Sequence, residues 1–421
     1  MNPSLVGSEM CIRDRAGDSR MRLLVAKGSF APMGGAERDI IRNLPSLSKT
    51  FSVSVATLES SAELESVCRE IGVQLMLPSL EWSKSSSVVS RVLDSDFSRA
   101  TECWKSITEL MDGMSGLDCI HLTSGDGSLA ILEILPDDVA IHLHLLEPHR
   151  GLHEDVLHRR IDGSPKRNLG LTKAALTLAR KRDLTTIREL YARDRSFISG
   201  NSEFTSSRIG DVYGVPSGVL LPSLGIDEFT QNPLNDEPNK VEGPSEPYVV
   251  TIGKASWVKG TWETVSMLQG SGHSLALIGG GDSDDLDSLI GHAEECEVGI
   301  WIAPRLSSAD LCSVVRGARA VVSMAHSEPF GLSPIEAQTI GTPALFVDEG
   351  GFRETISDRK SGRLLPRGDY SAWHDALTEA GEEDTRLKWA ENGRKSILTK
   401  GLNPDSFSER LENIFIEISR N

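Results

Sequence analysis

No two of the six cysteines stand in a C-x-x-C pair. Cys11, Cys68, Cys103, Cys119, Cys296 and Cys312 are scattered, which offers no structural zinc site and suits reduced, mostly buried thiols in a cytosolic protein. No apolar run approaches the ~18 residues of a membrane span, so the chain is expected to be soluble, or at most bound to a membrane surface. Cations are also in deficit. Against 61 Asp and Glu there are 44 Lys and Arg, a formal charge of −17, which argues against bulk nucleic-acid binding but permits local basic patches. The first twenty residues lack both periodicity and the continuous apolar core of a signal peptide. Their "SLVGSEMCIRDR" looks like a translated sequencing-library adaptor fused to a metagenomic reading frame, and Met21 is the expected natural start.

What is present is alternation. A length of 421 residues suggests two to three domains. From Met21, short apolar runs ("MRLLVAKG", "FSVSVATL", "VQLMLP", "LDCIHLTS", "VAIHLHLL", "RSFISGNS") are separated by amphipathic stretches, the pattern of a parallel sheet covered by helices on both faces. Residues 231–246 interrupt it with Pro, Asn, Asp and Gly and read as a linker. Alternation then resumes with "YVVTIGK", "SLALIGGG", "GIWIAP", "ARAVVSMA" and "TPALFVD". The expected architecture is α/β, with two doubly wound domains over 21–230 and 247–400. A helix over 401–421 is free to pack back across the boundary. A ligand belongs in the cleft between the domains, at the carboxyl ends of the strands.

The densest motif is "HSEPFGLSPIEAQTIGTPALFVDEGG", residues 326–351. Ser333, Pro334 and Glu336 have the spacing of a capping box: Ser at N-cap, Pro at N1, Glu at N3. That explains neither Glu328, which falls in the loop after a strand, nor the Phe330-Gly331-Leu332 turn, whose amides precede a helix N-terminus and suit an anion or a hydroxyl oxygen. "IGKASWVKG", residues 252–260, places Gly253, Lys254 and Lys259 in a loop after a strand, either to hold phosphate or as solvated cations. It is no P-loop, since Tyr248 and Ala255 occupy positions that need Gly and Ser or Thr. "SFAPMGGAERD", residues 29–39, sets Gly34 and Gly35 between the first strand and its helix, for a tight turn or for close approach of backbone to ligand. "IHLHLLEPHRGLHED", residues 141–155, puts His142 and His144 on one face of a strand, a possible metal pair or a site group. Asp94–Asp96 and Asp282–Asp284 repeat the triplet Asp-Ser-Asp, and both read as helix features.

Together these segments resemble the retaining glycosyltransferases of family 4, with the two-domain GT-B fold. The likeness runs nearly the whole length from Met21 and includes "FISGNSEFTSSRIGDVYGVPSG", where Asn201 or Ser202 caps a helix and Gly214 makes a turn. The resemblance implies a nucleotide-sugar donor, GDP- or UDP-linked, and transfer of a hexose to a glycan or lipid-linked acceptor without metal or other cofactor. It implies that Lys254 and Lys259 hold the diphosphate, with Lys254 where the family usually has Arg, so the bidentate fork is lost. Glu328 corresponds to the sugar-side glutamate and Glu336 to the ribose-binding one. Gly34 and Gly35 match the N-terminal glycine loop. His144, taken over His142, matches a histidine near the reacting centre, although its spacing to the following Arg is longer than in the family. Gln338 stands in a context resembling GDP-mannose users. Alternatives are a nucleotide-sugar epimerase of similar fold and a non-catalytic sugar-nucleotide-binding partner. Residues 158–182, with eight Lys or Arg against one Asp, are either a solvated helix face or a contact for anionic membrane.

Overall fold

The computed structural model describes residues 20–82, 95–225, 243–245, 247–303 and 306–420. The adaptor-like segment before residue 20, Cys11, Asp94 and most of the 231–246 segment lie outside the described residues.

Seven strands form the first sheet: β1 Arg22–Ser29, β2 Ser52–Glu59, β3 Gln74–Met76, β4 Cys119–Thr123, β5 Ala140–His144, β6 Ser196–Gly200 and β7 Gly218–Val219. Their spatial order is β3-β2-β1-β4-β5-β6-β7, and every described pairing is parallel. Val25 of β1 lies opposite Val55 of β2 and His121 of β4. Side chains alternate across a strand, so Leu24 and Ala26 enter a core with Trp104, Ile141 and Tyr213, whereas Leu23 and Val25 enter another with Leu44 and Leu47. Helices on both faces are what make the continuous apolar run of β1 possible.

The second sheet has six strands: β8 Tyr248–Ile252, β9 Ser274–Ile278, β10 Ile300–Ile302, β11 Val321–Ser323, β12 Ala344–Val347 and β13 Arg363–Leu365, in the order β10-β9-β8-β11-β12-β13 and again parallel. The order reverses beside the first strand of each sheet, the position that opens a crevice at the strand ends. The helix Pro404–Arg420 leaves this domain and lies on the first one. Its Phe407, Leu411, Phe415 and Ile418 fill the core that holds Leu23 and Val25, and Phe415 meets Phe51 edge-on at 6.2 Å. Each such burial contributes about 1.5–3 kcal/mol. The five described cysteines are free and buried. No helix among the described residues is long and apolar enough to cross a membrane.

Candidate active site

The second domain supplies most of the charged groups. At the ends of β8 and β9 two loops touch backbone to backbone: Gly253 N–H donates to Ile278 O and Ala255 N–H to Gly280 O, both at 2.7 Å. A Cβ on Gly279 would lie 2.6 Å from the Gly253 backbone, so this contact needs glycine. Lys254 emerges there and pairs at 2.9 Å with Asp282, the N-cap residue of the helix Ser283–Glu295; both side chains are exposed. Ser256 then caps a single 3-10 turn, Trp257–Lys259, which ends at Gly260 with φ +63°. A Cβ on Gly260 would sit 2.0 Å from Met324 O, so the turn is seated directly on the chain leaving β11. That seating delivers Lys259 to the following loop, where its Nζ lies 2.9 Å from Glu328 Oε2. The Glu328 carboxylate is the main reason that the Lys259 ammonium is held above its ordinary pKa, and it stays cationic through neutral pH.

The loop carrying Glu328 is braced. Ser327 has φ +49°, a left-handed conformation that costs a non-glycine residue about 1–3 kcal/mol and persists only where neighbours impose it. Gly351 N–H donates to Glu328 O at 2.8 Å. His326 stacks on Trp257 at 4.6 Å and bonds Glu263 at 2.9 Å, and Arg367 joins Glu263, Glu349 and Met324 O. Phe330 turns its ring into an apolar cluster with Cys312, Ile335 and Ile397. What Phe330 presents to the site is therefore its backbone and not its ring. Gly331, at φ +88° and with no room for a Cβ against the Phe352 ring 2.6 Å away, turns the chain into the helix Leu332–Ile340.

That turn corrects the capping-box expectation. Gly331 is the N-cap and Leu332 the first helical residue, so Ser333 and Pro334 are already helical and Glu336 sits on the second turn, half-buried and engaged with neighbouring groups. Its carboxylate is thus not committed to capping. Gln338 points inward instead of toward a ligand: it is buried, and its Nε2 donates to the carbonyls of Thr355 and Ser361. Nothing in this placement sets the Gln338 side chain against a donor base.

From the first domain, Gly34 and Gly35 face outward at the start of the helix Gly35–Thr50. Glu37 accepts from Gly34 N–H at 2.7 Å with one oxygen and pairs with the buried Lys27 at 3.1 Å with the other. A Cβ on Gly35 would lie 3.4 Å from Leu332 Cδ1. The glycine loop of one domain therefore faces the signature helix of the other. Lys27 and Glu37 escaped sequence reasoning because the glycine loop between them, though readable as a turn, does not show that the side chains flanking it meet.

His144 is a correction. It is 2% exposed at the end of β5, near Phe407 of the C-terminal helix at 6.3 Å and stacked near His142 at 6.0 Å. His142 bonds Ser199 Oγ at 2.7 Å and lies 2.8 Å from His121, ring nitrogen to ring nitrogen. Neither histidine meets the cleft, because a helix from the far end of the chain covers them. The titratable group that β5 does send toward Glu328 and Lys259 is Glu147, on the loop just beyond the strand. Burial, and to a lesser degree the facing Glu328, push its carboxyl up to about 7, although 44% of the side chain still meets solvent. The signal for it was its place in "LLEPHR", directly after a strand and before a proline. Asp96 lies in the first turn of the helix Ser95–Lys105. In 158–182, Leu171 and Leu178 are strongly exposed among Lys166, Arg167, Lys173 and Lys181.

Residues 235–396 match the family model described as glycosyl transferases group 1. The D-inositol 3-phosphate glycosyltransferase of Gordonia bronchialis is 27% identical over 214 residues, 47% of this chain and 46% of that protein. The chain thus matches less than half the length of this curated relative. Among solved structures, the sucrose-phosphate synthase of Thermosynechococcus elongatus superposes with a TM-score of 0.67 at 16% identity, over 95% of this chain and 100% of its own. Anabaena HepE in complex with UDP and glucose gives 0.65 at 15% identity, over 94% and 100%. These two likenesses establish a shared two-domain fold.

Proposed function

We propose that this chain, whose residues 235–396 belong to the glycosyl transferases group 1 family, moves a hexose from a nucleotide-diphosphate sugar to an acceptor hydroxyl with retention of configuration. The observation that carries the reading is the Lys259–Glu328 pair at 2.9 Å, set beside the amides of Phe330, Gly331 and Leu332. In the step, the bond between the sugar C1 and the phosphate oxygen breaks and a bond from the acceptor oxygen to C1 forms on the same face. The acceptor proton passes to the departing phosphate. Charge accumulates on the diphosphate, and Lys259, supported by Lys254, neutralises it without a metal ion. Glu328 and the three amides orient the sugar; Glu336 accepts hydrogen bonds from the ribose hydroxyls; Gly34 and Gly35 let the backbone approach the donor.

The test is a thermal-shift screen of GDP- and UDP-sugars, followed by transfer assays in EDTA. A ligand at 100 times its Kd adds about 2.7 kcal/mol, so the selective donor raises the melting temperature by several degrees. Turnover of that donor supports a transferase, binding without turnover supports a silent partner, and epimerised donor supports the epimerase.

The acceptor is proposed to be a glycan or a lipid-linked glycan, with 158–182 touching the membrane. Exposed Leu171 and Leu178 among cations are the apolar-plus-basic composition of an interfacial surface. Co-sedimentation with vesicles is expected to require anionic lipid and to weaken as salt rises; absent or salt-insensitive binding overturns the membrane contact.

A further inference from the structure

The loop that carries Glu328 is hydrogen-bonded by the opposite domain on both flanks. On one side, buried Arg150 donates from Nη2 to His326 O at 2.7 Å. On the other, Ser202 Oγ donates to Pro329 O at 2.5 Å. Thr205 Oγ1 lies 3.2 Å from the same carbonyl, but it has a closer acceptor in Asn201 Oδ1 at 2.8 Å, so Ser202 is the principal donor. Ser202 is also the N-cap of the helix Glu203–Tyr213 and accepts from Thr205 N–H at 2.9 Å. The first two helical amides, Glu203 N–H and Phe204 N–H, which a helix leaves without partners, donate at 3.0 and 2.8 Å to the two oxygens of Glu354, a residue of the second domain. Glu354 lies three residues beyond Gly351, whose N–H holds Glu328 O.

One helix terminus of the first domain is thus completed by the second, and it returns a hydrogen bond to the peptide between Pro329 and Phe330. A trans peptide is planar, so holding the Pro329 carbonyl also sets the direction of the Phe330 N–H. We propose that Ser202, Arg150 and Glu354 are positioning residues for the sugar end of the donor site. They fix the backbone from His326 to Phe330, and Glu328 with it, only when the two domains meet. The inference rests on the reading of Glu328 and the 330–332 amides as sugar contacts, and it makes those contacts dependent on domain closure. The hydrogen bonds that shape the lysine loop, by contrast, come from the second domain, the first adding the packing of Gly163 against the Trp257 ring.

The experiment compares Ser202→Ala, Ser202→Thr, Glu354→Ala and the Ser202→Ala/Glu354→Ala double variant with the unmodified chain. A misplacement of about 1 Å costs as much as 100-fold, so kcat is expected to fall at least about tenfold in the double variant while the Kd for UDP or GDP stays within about twofold. Ser202→Thr, which keeps the hydroxyl, restores most of the rate. Hydrogen–deuterium exchange of the peptide spanning 326–332 is expected to accelerate in Ser202→Ala and Glu354→Ala. Glu354 is only half-buried, so its variant reports even if Ser202→Ala fails to fold. Unchanged kcat, unchanged exchange in folded variants, or parallel loss of kcat and nucleotide affinity overturns the proposal. Should no nucleotide sugar be turned over by the unmodified chain, the proposed function fails, and exchange still decides whether the first domain holds this loop.

Discussion

On the proposed function, Lys259→Ala and Glu328→Ala are each expected to lower sugar transfer by about 10²–10³-fold and to leave the fold standing. The two side chains meet at 2.9 Å and remain partly open to solvent, so the partner stranded by either substitution keeps some hydration, at a cost of about 1–3 kcal/mol that the fold can absorb. Their kinetic signatures differ. Loss of the ammonium removes charge that is needed wherever the diphosphate sits, so nucleotide affinity and kcat fall together. Loss of the carboxylate removes a contact with the sugar, so kcat falls while UDP or GDP binding stays near that of the unmodified chain. The double variant is less impaired than the sum of the two, because the groups act as one unit. Steady-state kinetics with calorimetric nucleotide titrations check all three statements; full turnover in either single variant refutes the assignment.

Acid weakens the fold between pH 6.5 and about 4, with the three buried histidines responsible. His144 is lowered to about 4 by burial, and burial likewise drives His121 and His142 well below their ordinary value, with His144 adding to the effect on both. In the unfolded chain these rings take protons near pH 6.5; in the fold His144 does so only near 4. Within that window the unfolded state binds more protons, so stability present above pH 6.5 is lost as pH falls. His144 alone accounts for about 3 kcal/mol, at about 1.4 per pKa unit. Asp39 and Glu147 work in the opposite sense. Burial raises them to about 6 and about 7, so they favour the fold as pH drops through those values. Two carboxyls, one of them with 44% of its side chain still in solvent, do not reverse the balance of three fully buried imidazoles. The melting temperature is expected to drop between pH 7 and 5, and to drop less in His144→Gln; an unchanged or rising melting temperature refutes the account.

The strand ladder was legible because each buried parallel strand is a short, near-continuous apolar run. β7, two residues long, carries too little pattern to detect, and β13, Arg363–Leu365, offers only two apolar residues between an arginine and a proline. At the site, legibility followed contiguity. Gly253, Lys254, Lys259, Glu328 and Gly331 stand in short contiguous motifs that can be read as such, although the partners that seat their loops, among them Ile278, Met324 and Gly351, are distant in sequence. Arg150, Ser202 and Glu354 gain their meaning from partners more than a hundred positions distant, so a local pattern shows Ser202 as a helix cap and nothing of its reach to the other domain. His144 misled for the same reason: β5 offers it to the strand end, but Phe407 of a remote helix lies over it. Gln338 sits within the signature yet serves the interior of its domain.

The helix Pro404–Arg420 bears on how the protein is made. It supplies Phe407, Leu411, Phe415 and Ile418 to a core whose other members precede residue 225. During synthesis the first domain therefore emerges from the ribosome with an apolar face that nothing yet covers, and it waits for the whole second sheet to be translated before its own interior is finished. The stretch up to residue 225 lacks part of its own core, and a gene fragment ending there is expected to yield a sticky, incomplete product.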